Sequence, residues 1–251
     1  MTANNKLYAG SSGLVLPVPQ SKYPQEFQGK SRLQYYSSLF NTVEINSSFY
    51  KNPQRSTVSK WAESVPDRFR FTFKLSKAVT HAKGLGFNDA DIDEFMKVIN
   101  YVEDKKGCLL VQLPPKLTIE SIIQLERLLE TLHDVNPDNG WKIAVEFRNN
   151  AWYHEETYHL LSHNNAAMVI QDLPASATPV ITSSKAGFMY LRFHGTEPRY
   201  RGSYTGEVLK GYANLVKEGL KRGDVYAYFN NTMGNAYENL QTLTSLVRSR
   251  Y

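Results

Sequence analysis

The sequence predicts an α/β protein folded as a single (β/α)8 barrel of the TIM type over residues 1–251. Eight short runs rich in β-branched and aromatic residues alternate with segments of helical apolar periodicity. Strands separated by helices pair in parallel, and eight such units in about 250 residues match this barrel. The predicted strands are residues 6–10, 42–46, 70–74, 109–113, 142–147, 167–171, 189–193 and 225–229.

Four of the intervening segments carry helix signals. Thr118 is predicted to cap a helix whose apolar stripe ends at Leu132, and Asn52-Pro53 places a favoured N-cap before a first-turn proline. A third helix is predicted to begin at Asp89 and a fourth to span residues 208–220. These helices supply the crossovers that parallel strands require.

One crossover departs from this pattern of strands alternating with helices. Residues 172–187 contain two prolines and several Ser and Thr, so the helix after strand six is predicted to be missing or vestigial.

A doubly wound sheet is the structural alternative to the barrel. Residues 10–13 read Gly-Ser-Ser-Gly, but Pro17 and Pro19 follow where a phosphate-binding helix should begin. We interpret that stretch as a tight turn.

Composition excludes several classes of protein. The 251 residues are 41% hydrophobic and 21% charged, with a net charge of +5 that favours anionic partners only weakly. Cys108 is the single cysteine, which excludes an internal disulfide, and its apolar surroundings indicate a buried thiol. Residues 1–6 lack a signal-peptide pattern and no segment has membrane-spanning length, so a cytoplasmic location is expected.

Every predicted strand brings polar side chains to its carboxyl end, where barrels of this type carry their active sites. Glu44 and Asn46 are two residues apart and therefore share one face of strand two, and Glu146 and Arg148 repeat this spacing in strand five. The other polar residues at these ends are Ser11, Ser12, Lys74, Gln112, Gln171, Asp172, Arg192, His194, Asn230 and Asn231.

Three of these charges, on Glu44, Glu146 and Arg192, lie within otherwise apolar strands. A buried charge must be paired or hydrogen-bonded to offset its desolvation. A structural Glu–Arg network is therefore one interpretation, and a functional site is the other. Lys74, Gln112 and Asp172 taken singly are more typical of residues that cap helices or face water.

The functional interpretation assigns roles to these residues. Glu44, Glu146 and His194 are the predicted catalytic residues, because carboxylates and imidazole perform acid–base chemistry. The predicted ligand-binding residues are Asn46, Lys74, Arg148, Trp152, Arg192, Asn230 and Asn231. Loops after strands seven and eight form the phosphate site in many barrels. Aromatic residues near the same face either stack on a ligand or pack on each other: Phe49, Tyr50, Tyr153, Tyr200 and Tyr204.

No metal site is predicted, and the sequence leaves the cofactor unknown. His81 and His194 with three carboxylates would compose a mixed metal site, but neither an H-x-H nor an HExxH spacing occurs. A serine elbow, a phosphate-binding P-loop and zinc-finger spacing are also missing from the sequence.

Seven motifs are spread along nearly the whole chain: Tyr8-Ala-Gly-Ser-Ser-Gly13, Phe40-Asn-Thr-Val-Glu-Ile-Asn-Ser-Ser-Phe-Tyr50, Phe71-Thr-Phe-Lys74 with Thr80-His81, Val111-Gln-Leu-Pro-Pro115, Val145-Glu-Phe-Arg148 with Trp152, Leu191-Arg-Phe-His-Gly195 and Tyr228-Phe-Asn-Asn-Thr232. Together they resemble the YecE-like family, domain of unknown function 72. The resemblance implies a TIM barrel, in agreement with the strand pattern, and implies no activity. Leu14 stands where this family usually has Trp, and the loop through Tyr23-Pro24 looks shortened.

The leading functional hypothesis is an enzyme that acts by acid–base chemistry on an anionic ligand carrying phosphate. A nucleotide, a nucleic acid or a sugar phosphate would fit, and hydrolysis is one candidate reaction. A glycosidase using Glu44 and Glu146 is a variant of this hypothesis. The rival is a non-catalytic protein that binds nucleic acid or a metabolite. A charged network that only stabilises the barrel mouth is the third interpretation. The oligomeric state stays open.

Overall fold

All β-strands in the described part of the chain, residues 5–179 and 186–249 of this computed structural model, pair in parallel. They follow the alternation with helices that the sequence predicts. The strands are β1 (Leu7–Ser11), β2 (Thr42–Ile45), β3 (Arg70–Lys74), β4 (Lys106–Gln112), β5 (Lys142–Glu146), β6 (Ala167–Met168), β7 (Ile170–Gln171), β8 (Phe188–Phe193) and β9 (Asp224–Phe229).

The strands form two sheets, in the orders β1-β9-β8-β7 and β2-β3-β4-β5-β6. An isolated bridge between Ser12 and Glu44 connects β1 to β2. On the other side, β6 and β7 follow each other across Val169, whose N–H donates to the carbonyl of Val145 at 2.9 Å. The predicted strand six is therefore interrupted. The TIM-barrel prediction is confirmed as an α/β barrel-like arrangement whose strand ladder is not continuous.

Gly10 makes the connection between β1 and β2 sterically feasible. A Cβ atom at this position would lie 2.2 Å from the backbone oxygen of Thr42. The hydroxyl of Tyr36 spans the same connection, accepting from the N–H of Ser11 at 2.7 Å and donating to the carbonyl of Thr42 at 3.2 Å. The glycine predicted only as part of a tight turn thus also permits close strand approach.

The helices pack outside the strands, and two predicted helix starts need correction. The helix expected to open at Asn52 begins at Arg55, with Gln54 as its N-cap. Thr118 makes no side-chain capping bond, and one 3-10 turn precedes the α-helix there. The helices are α1 (Arg32–Leu39), α2 (Arg55–Glu63), α3 (Lys77–Thr80), α4 (Asp89–Ile99), α5 (Ile122–Asp134), α6 (Glu155–His163), α7 (Gly206–Leu220) and α8 (Ala236–Arg248).

Alternation along the strands divides the buried side chains between an outer core and the interior of the strand ring. Val43, Val145 and Phe147 belong to a cluster with helix residues, as the sequence predicts for that face. Tyr190 and Tyr228 belong to the interior cluster together with Cys108, which is buried as predicted. The alternation of side chains along each strand therefore determines which polar residues reach the barrel mouth.

Two further expectations concern segments outside this core. The connection from β7 to β8 shows turns and no helix in its described parts, residues 172–179 and 186–187. Residues 180–185, also covered by that prediction, lie outside the described residues. Among residues 5–179 and 186–249, none of the helices combines the length and the apolar composition of a membrane-spanning segment.

Candidate functional site

Three buried charged side chains, which we call the inner network, meet at the carboxyl ends of β2, β5 and β8. Arg192 donates from Nε and Nη2 to the two carboxylate oxygens of Glu44, at 3.0 and 2.7 Å. Its Nη1 donates to Oε2 of Glu146 at 2.7 Å. Arg192 is only 2% exposed and both glutamates are fully buried. Protein carboxylates thus accept from all three of its side-chain nitrogens, and the predicted contact of Arg192 with a ligand stays a prediction.

Glu44 uses all of its accepting capacity within the protein. The Ser12 hydroxyl donates to Oε1 and the Tyr190 hydroxyl to Oε2, both at 2.6 Å, in addition to the two bonds from Arg192. Burial raises the pKa of Glu44, but the charge and hydrogen bonds of Arg192 outweigh it, so the pKa is lowered overall. Protein donors thus engage both oxygens of Glu44, and its predicted acid–base role stays a prediction.

Glu146 differs from Glu44 in the second oxygen of its carboxylate. Oε1 lies 2.9 Å from Nη2 of Arg148 and 3.2 Å from Nε2 of His194, but it accepts no aligned hydrogen bond in the described structure. Burial raises its pKa, whereas the charges of Arg192 and Arg148 lower it, and the net pKa is well below the usual range. Glu146 therefore connects the inner network to the side chains of Arg148 and His194.

The ring of His194 lies among two arginines and two carboxylates. Nε2 lies 3.1 Å from Nη2 of Arg148 and 3.4 Å from Nη1 of Arg192. The same nitrogen lies 3.2 Å from Oε1 of Glu146, so the tautomer decides whether Nε2 accepts from a guanidinium or donates to this carboxylate. Nδ1 lies 3.4 Å from Oδ1 of Asp172 without an aligned hydrogen bond. Each ring nitrogen of His194 thus lies near a carboxylate.

Asp172 is fixed by the loop that follows β8. Its Oδ1 accepts from the backbone N–H of His194 at 2.8 Å, and its Oδ2 accepts from the hydroxyl of Tyr204. Tyr204 in turn accepts from the N–H of Gly195 at 2.6 Å. Burial and the charge of Asp172 raise the pKa of Tyr204, so its hydroxyl stays protonated and donates. Asp172 therefore orients His194 through a defined set of contacts.

Lys74, at the end of β3, has no ion-pair partner among the residues described. Its Nζ donates to Oε1 of Gln112 at 2.8 Å and lies 4.0 Å from the centre of the Phe49 ring. Burial, followed by the positive charge of Arg192, lowers its pKa to about 8. With Arg148, Asp172 and His194, Lys74 forms what we call the rim group.

The structure moves Trp152 out of the predicted ligand site. Its side chain is fully buried and stacks on Phe147, with ring centres 4.9 Å apart. Its Nε1 donates to the backbone oxygen of Leu117 at 2.9 Å. Trp152 consequently belongs to the core between β5 and its neighbouring helices.

The predicted asparagines lie at the mouth in different environments. Asn231 is buried and donates to the oxygens of Gly202 and Asn239, both at 3.1 Å, so its amide nitrogen holds the loop after β8. Asn230 is partly exposed, and its backbone N–H donates to Phe193 at 2.7 Å. Asn46 is partly exposed at the end of β2.

The predicted aromatic residues separate into buried and exposed groups. Phe49 and Tyr204 are buried, whereas Tyr50 is 71% and Tyr200 is 42% exposed. The Tyr200 ring lies 6.0 Å from the His194 ring. Both Arg199 and Tyr200 have a φ of +62°, a conformation that costs about 1–3 kcal/mol in residues other than glycine. Strained backbone therefore presents Tyr200 beside the rim group.

Sequence reasoning missed Tyr190 as a functional neighbour and treated Asp172 as an ordinary cap. Tyr190 precedes Arg192 by two residues and therefore shares its strand face. This spacing of two residues from Arg192 is the sequence feature that could have indicated Tyr190. No local pattern indicated the bond from Tyr204 to Asp172, because it spans a loop.

Unpartnered polar atoms are concentrated at this end of the barrel. In residues 5–179 and 186–249, six buried side-chain nitrogen or oxygen atoms have no hydrogen-bond partner. One, on Thr157, lies in α6. The other five are Asn46 Oδ1, Glu146 Oε1, Arg148 Nε, His194 Nδ1 and Asn231 Oδ1. The same described residues contain no cluster of three His, Cys, Asp or Glu side chains arranged to hold a metal.

Two curated proteins share sequence similarity with this chain. UPF0759 protein YunF of Bacillus subtilis (strain 168) is 26% identical, over 92% of this chain and 92% of its own length. UPF0759 protein YecE of Escherichia coli (strain K12) is 28% identical, over 47% of this chain and 44% of its own length. These similarities agree with the motifs that resemble YecE.

Solved structures share the fold. A DUF72 family protein of Thermotoga maritima MSB8 superposes with a TM-score of 0.79 at 25% identity, over 98% of this chain and 100% of that one. A D-allulose 3-epimerase from Methylomonas sp. superposes with a TM-score of 0.57 at 15% identity, over 98% and 97%, and its likeness concerns the fold alone.

The strongest assignment comes from the sequence-family comparison. The model for "Protein of unknown function DUF72" matches residues 15–251, which include every residue of the inner network and the rim group. The chain belongs to the DUF72 family.

Proposed function

We propose that this protein is an enzyme that binds an anionic, phosphate-bearing ligand at the barrel mouth and acts on it by acid–base chemistry. The observation that carries the proposal is the group of five unpartnered buried polar atoms at the mouth. Such atoms cost stability when they stay unpaired, so their concentration at one place is typical of a site selected for binding.

The charge of the rim group supports an anionic ligand. Lys74 pairs with a neutral amide and an aromatic ring rather than with a carboxylate. Arg148 keeps an unpartnered Nε, and its side chain remains 12% exposed. In this proposal the Arg148 guanidinium contacts the phosphate, since its planar fork of donors suits that group.

The acid–base roles fall to Glu146 and His194. Oε1 of Glu146 is the one carboxylate oxygen of the inner network that accepts no hydrogen bond in the described structure. His194 is held by Asp172 on one side and by arginine nitrogens on the other, so its ring orientation is fixed. Glu44 serves as the partner that keeps Arg192 in place.

The test measures phosphate binding by calorimetry and turnover on a panel of sugar phosphates and nucleotides. Arg148→Met should weaken inorganic phosphate binding about tenfold or more, which corresponds to about 1.4 kcal/mol. Arg127→Met is the matched control, because Arg127 is half exposed on α5 and pairs with Asp89. Equal phosphate binding in the two variants would contradict the proposed anion contact.

The alternative, a non-catalytic binding protein, predicts a different pair of results. Ligands would bind with the same dependence on Arg148, but no member of the panel would be converted. Glu146→Gln would then leave every measured rate at background, equal to that of the unsubstituted protein. Conversion that falls by about 10²–10⁴ in Glu146→Gln supports the enzyme.

A further inference from the structure

The amine of Lys74 has an environment suited to more than charge recognition. Its side chain is half-buried, and Nζ is held between Oε1 of Gln112 at 2.8 Å and the face of Phe49 at 4.0 Å. None of the ion pairs between described residues includes it. The structure thus fixes the position of this amine without a carboxylate of the described chain in ion-pair contact with it.

The charged groups around Lys74 act in both directions on its proton. Burial lowers its pKa most, the charges of Arg192 and Arg148 lower it further, and the charges of Glu146 and Glu44 oppose them, giving a pKa of about 8. The ring of His81 also packs edge-on against Phe49, with ring centres 4.9 Å apart. A desolvated lysine beside other cations is a recognised form of activated nucleophile, because a substantial fraction of the amine is neutral.

We propose that Lys74 is a catalytic nucleophile that forms an imine with an aldehyde or ketone carbonyl of the bound anion. This inference rests on the proposed function and specifies its substrate class as a phosphorylated or otherwise anionic carbonyl compound. Arg148 contacts the anionic group, and Nζ of Lys74 attacks the carbonyl carbon at the same mouth.

The step balances without an oxidant or a reductant. The lone pair of Nζ forms the new C–N bond while the carbonyl π electrons move to oxygen, which gives a carbinolamine after proton transfer. The C–O bond then breaks and the two protons originally on nitrogen leave with that oxygen as water. One further proton from solvent converts the C=N product into its iminium form.

Pyridoxal 5′-phosphate is a suitable probe, because it carries both an aldehyde and a phosphate. The 251-residue protein is incubated with it, the imine is followed by its absorbance, and borohydride reduction fixes the adduct for peptide mass spectrometry. We expect one main adduct on Lys74, formed about tenfold faster than on any exposed lysine. Its rate should rise with pH around a midpoint near 8.

Two lysine variants make the result specific. Lys74→Arg keeps the positive charge but removes the nucleophilic amine, so the main adduct should disappear. Lys77→Arg, at an exposed position in α3 three residues away, should label like the unsubstituted protein. Labelling that is spread over exposed lysines without preference for Lys74 would overturn the inference. Melting temperatures check that both variants fold.

Inorganic phosphate separates this inference from the proposed function. If phosphate binds with the predicted dependence on Arg148 but Lys74 does not label, the nucleophile fails and the anion site stands. If pyridoxal without phosphate labels Lys74 selectively and inorganic phosphate does not bind, the nucleophile stands and the anion site fails. Protection of Lys74 by phosphate, together with selective labelling, supports both.

Discussion

The inner network and the rim group lie at the same end of the barrel but use their hydrogen-bonding capacity differently. Glu44 accepts four bonds, and each nitrogen of the Arg192 guanidinium donates to a carboxylate. In the rim group, by contrast, Arg148 and His194 keep unpartnered nitrogens, and Lys74 has only a neutral acceptor. Burial of charge alone therefore does not distinguish a structural network from a binding site. The two are distinguished by whether each buried polar atom has a hydrogen-bond partner within the protein.

The largest effect on stability is expected for Glu44→Gln, because both oxygens of Glu44 are fully hydrogen-bonded within the protein. Removing one partner of a buried ion pair costs about 3–5 kcal/mol, and Arg192 would keep only its charged bond to Glu146. The free energy of unfolding, measured in urea at neutral pH, should fall by that amount. The pKa of Glu44 is lowered in the folded protein, so its contribution is present above the ordinary carboxyl pKa and lost as pH falls. The difference between the two proteins should therefore shrink in acid.

Glu130→Gln provides the control for this measurement. Glu130 is exposed on α5, where removal of a charge changes stability by less than about 0.5 kcal/mol. If Glu44→Gln is as stable as Glu130→Gln, the inner network does not stabilise the barrel. The structural role assigned to the inner network would then be wrong.

An intermediate effect is expected for Glu146→Gln, which lies between the two regions. Its Oε2 accepts one charged hydrogen bond from Arg192, and its Oε1 lies 2.9 Å from Nη2 of Arg148 without an aligned hydrogen bond. Loss of a hydrogen bond to a charged group costs about 1.5–3 kcal/mol, while Arg192 keeps both bonds to Glu44. Urea unfolding of the two variants side by side tests the ranking. A greater loss in Glu146→Gln than in Glu44→Gln would reverse it.

The smallest effect, and one of opposite sign, is expected for Lys74→Met. The pKa of Lys74 is lowered to about 8, chiefly by burial, so the protonated amine destabilises the folded protein at neutral pH. Lys74→Met should gain on the order of 1 kcal/mol at pH 7. Lys77→Met, at an exposed position, is its matched control.

The pH dependence of this gain has a definite sign. Between about 8 and the ordinary lysine pKa near 10.4, the unfolded chain binds more protons than the folded one, so unsubstituted protein gains stability with rising pH. The advantage of Lys74→Met should therefore disappear by about pH 10. A gain that stays constant with pH would show that methionine packs better there and that the charge of Lys74 is not the cause.

The local sequence pattern predicts the order of strands and helices and the residues at each strand's carboxyl end. Alternation placed Glu44, Glu146 and Arg192 on the inward face and Val43, Val145 and Leu191 on the outward face, because side chains alternate along every strand. The DUF72 resemblance followed from motifs at these same strand ends and is confirmed by the family match.

The hydrogen-bond partner of each polar atom, by contrast, depends on how the strands pack in three dimensions. Glu44 and Arg192 are 148 residues apart, and their contact depends on the way the strands pack into a ring rather than on any local pattern. The same packing buried Trp152 against Phe147, whereas its sequence position after β5 suggested the mouth. Periodicity constrains the face on which a side chain lies. The distance between side chains on different strands, and thus the saturation of Glu44 and the unpaired atoms of Arg148 and His194, is set by packing in three dimensions.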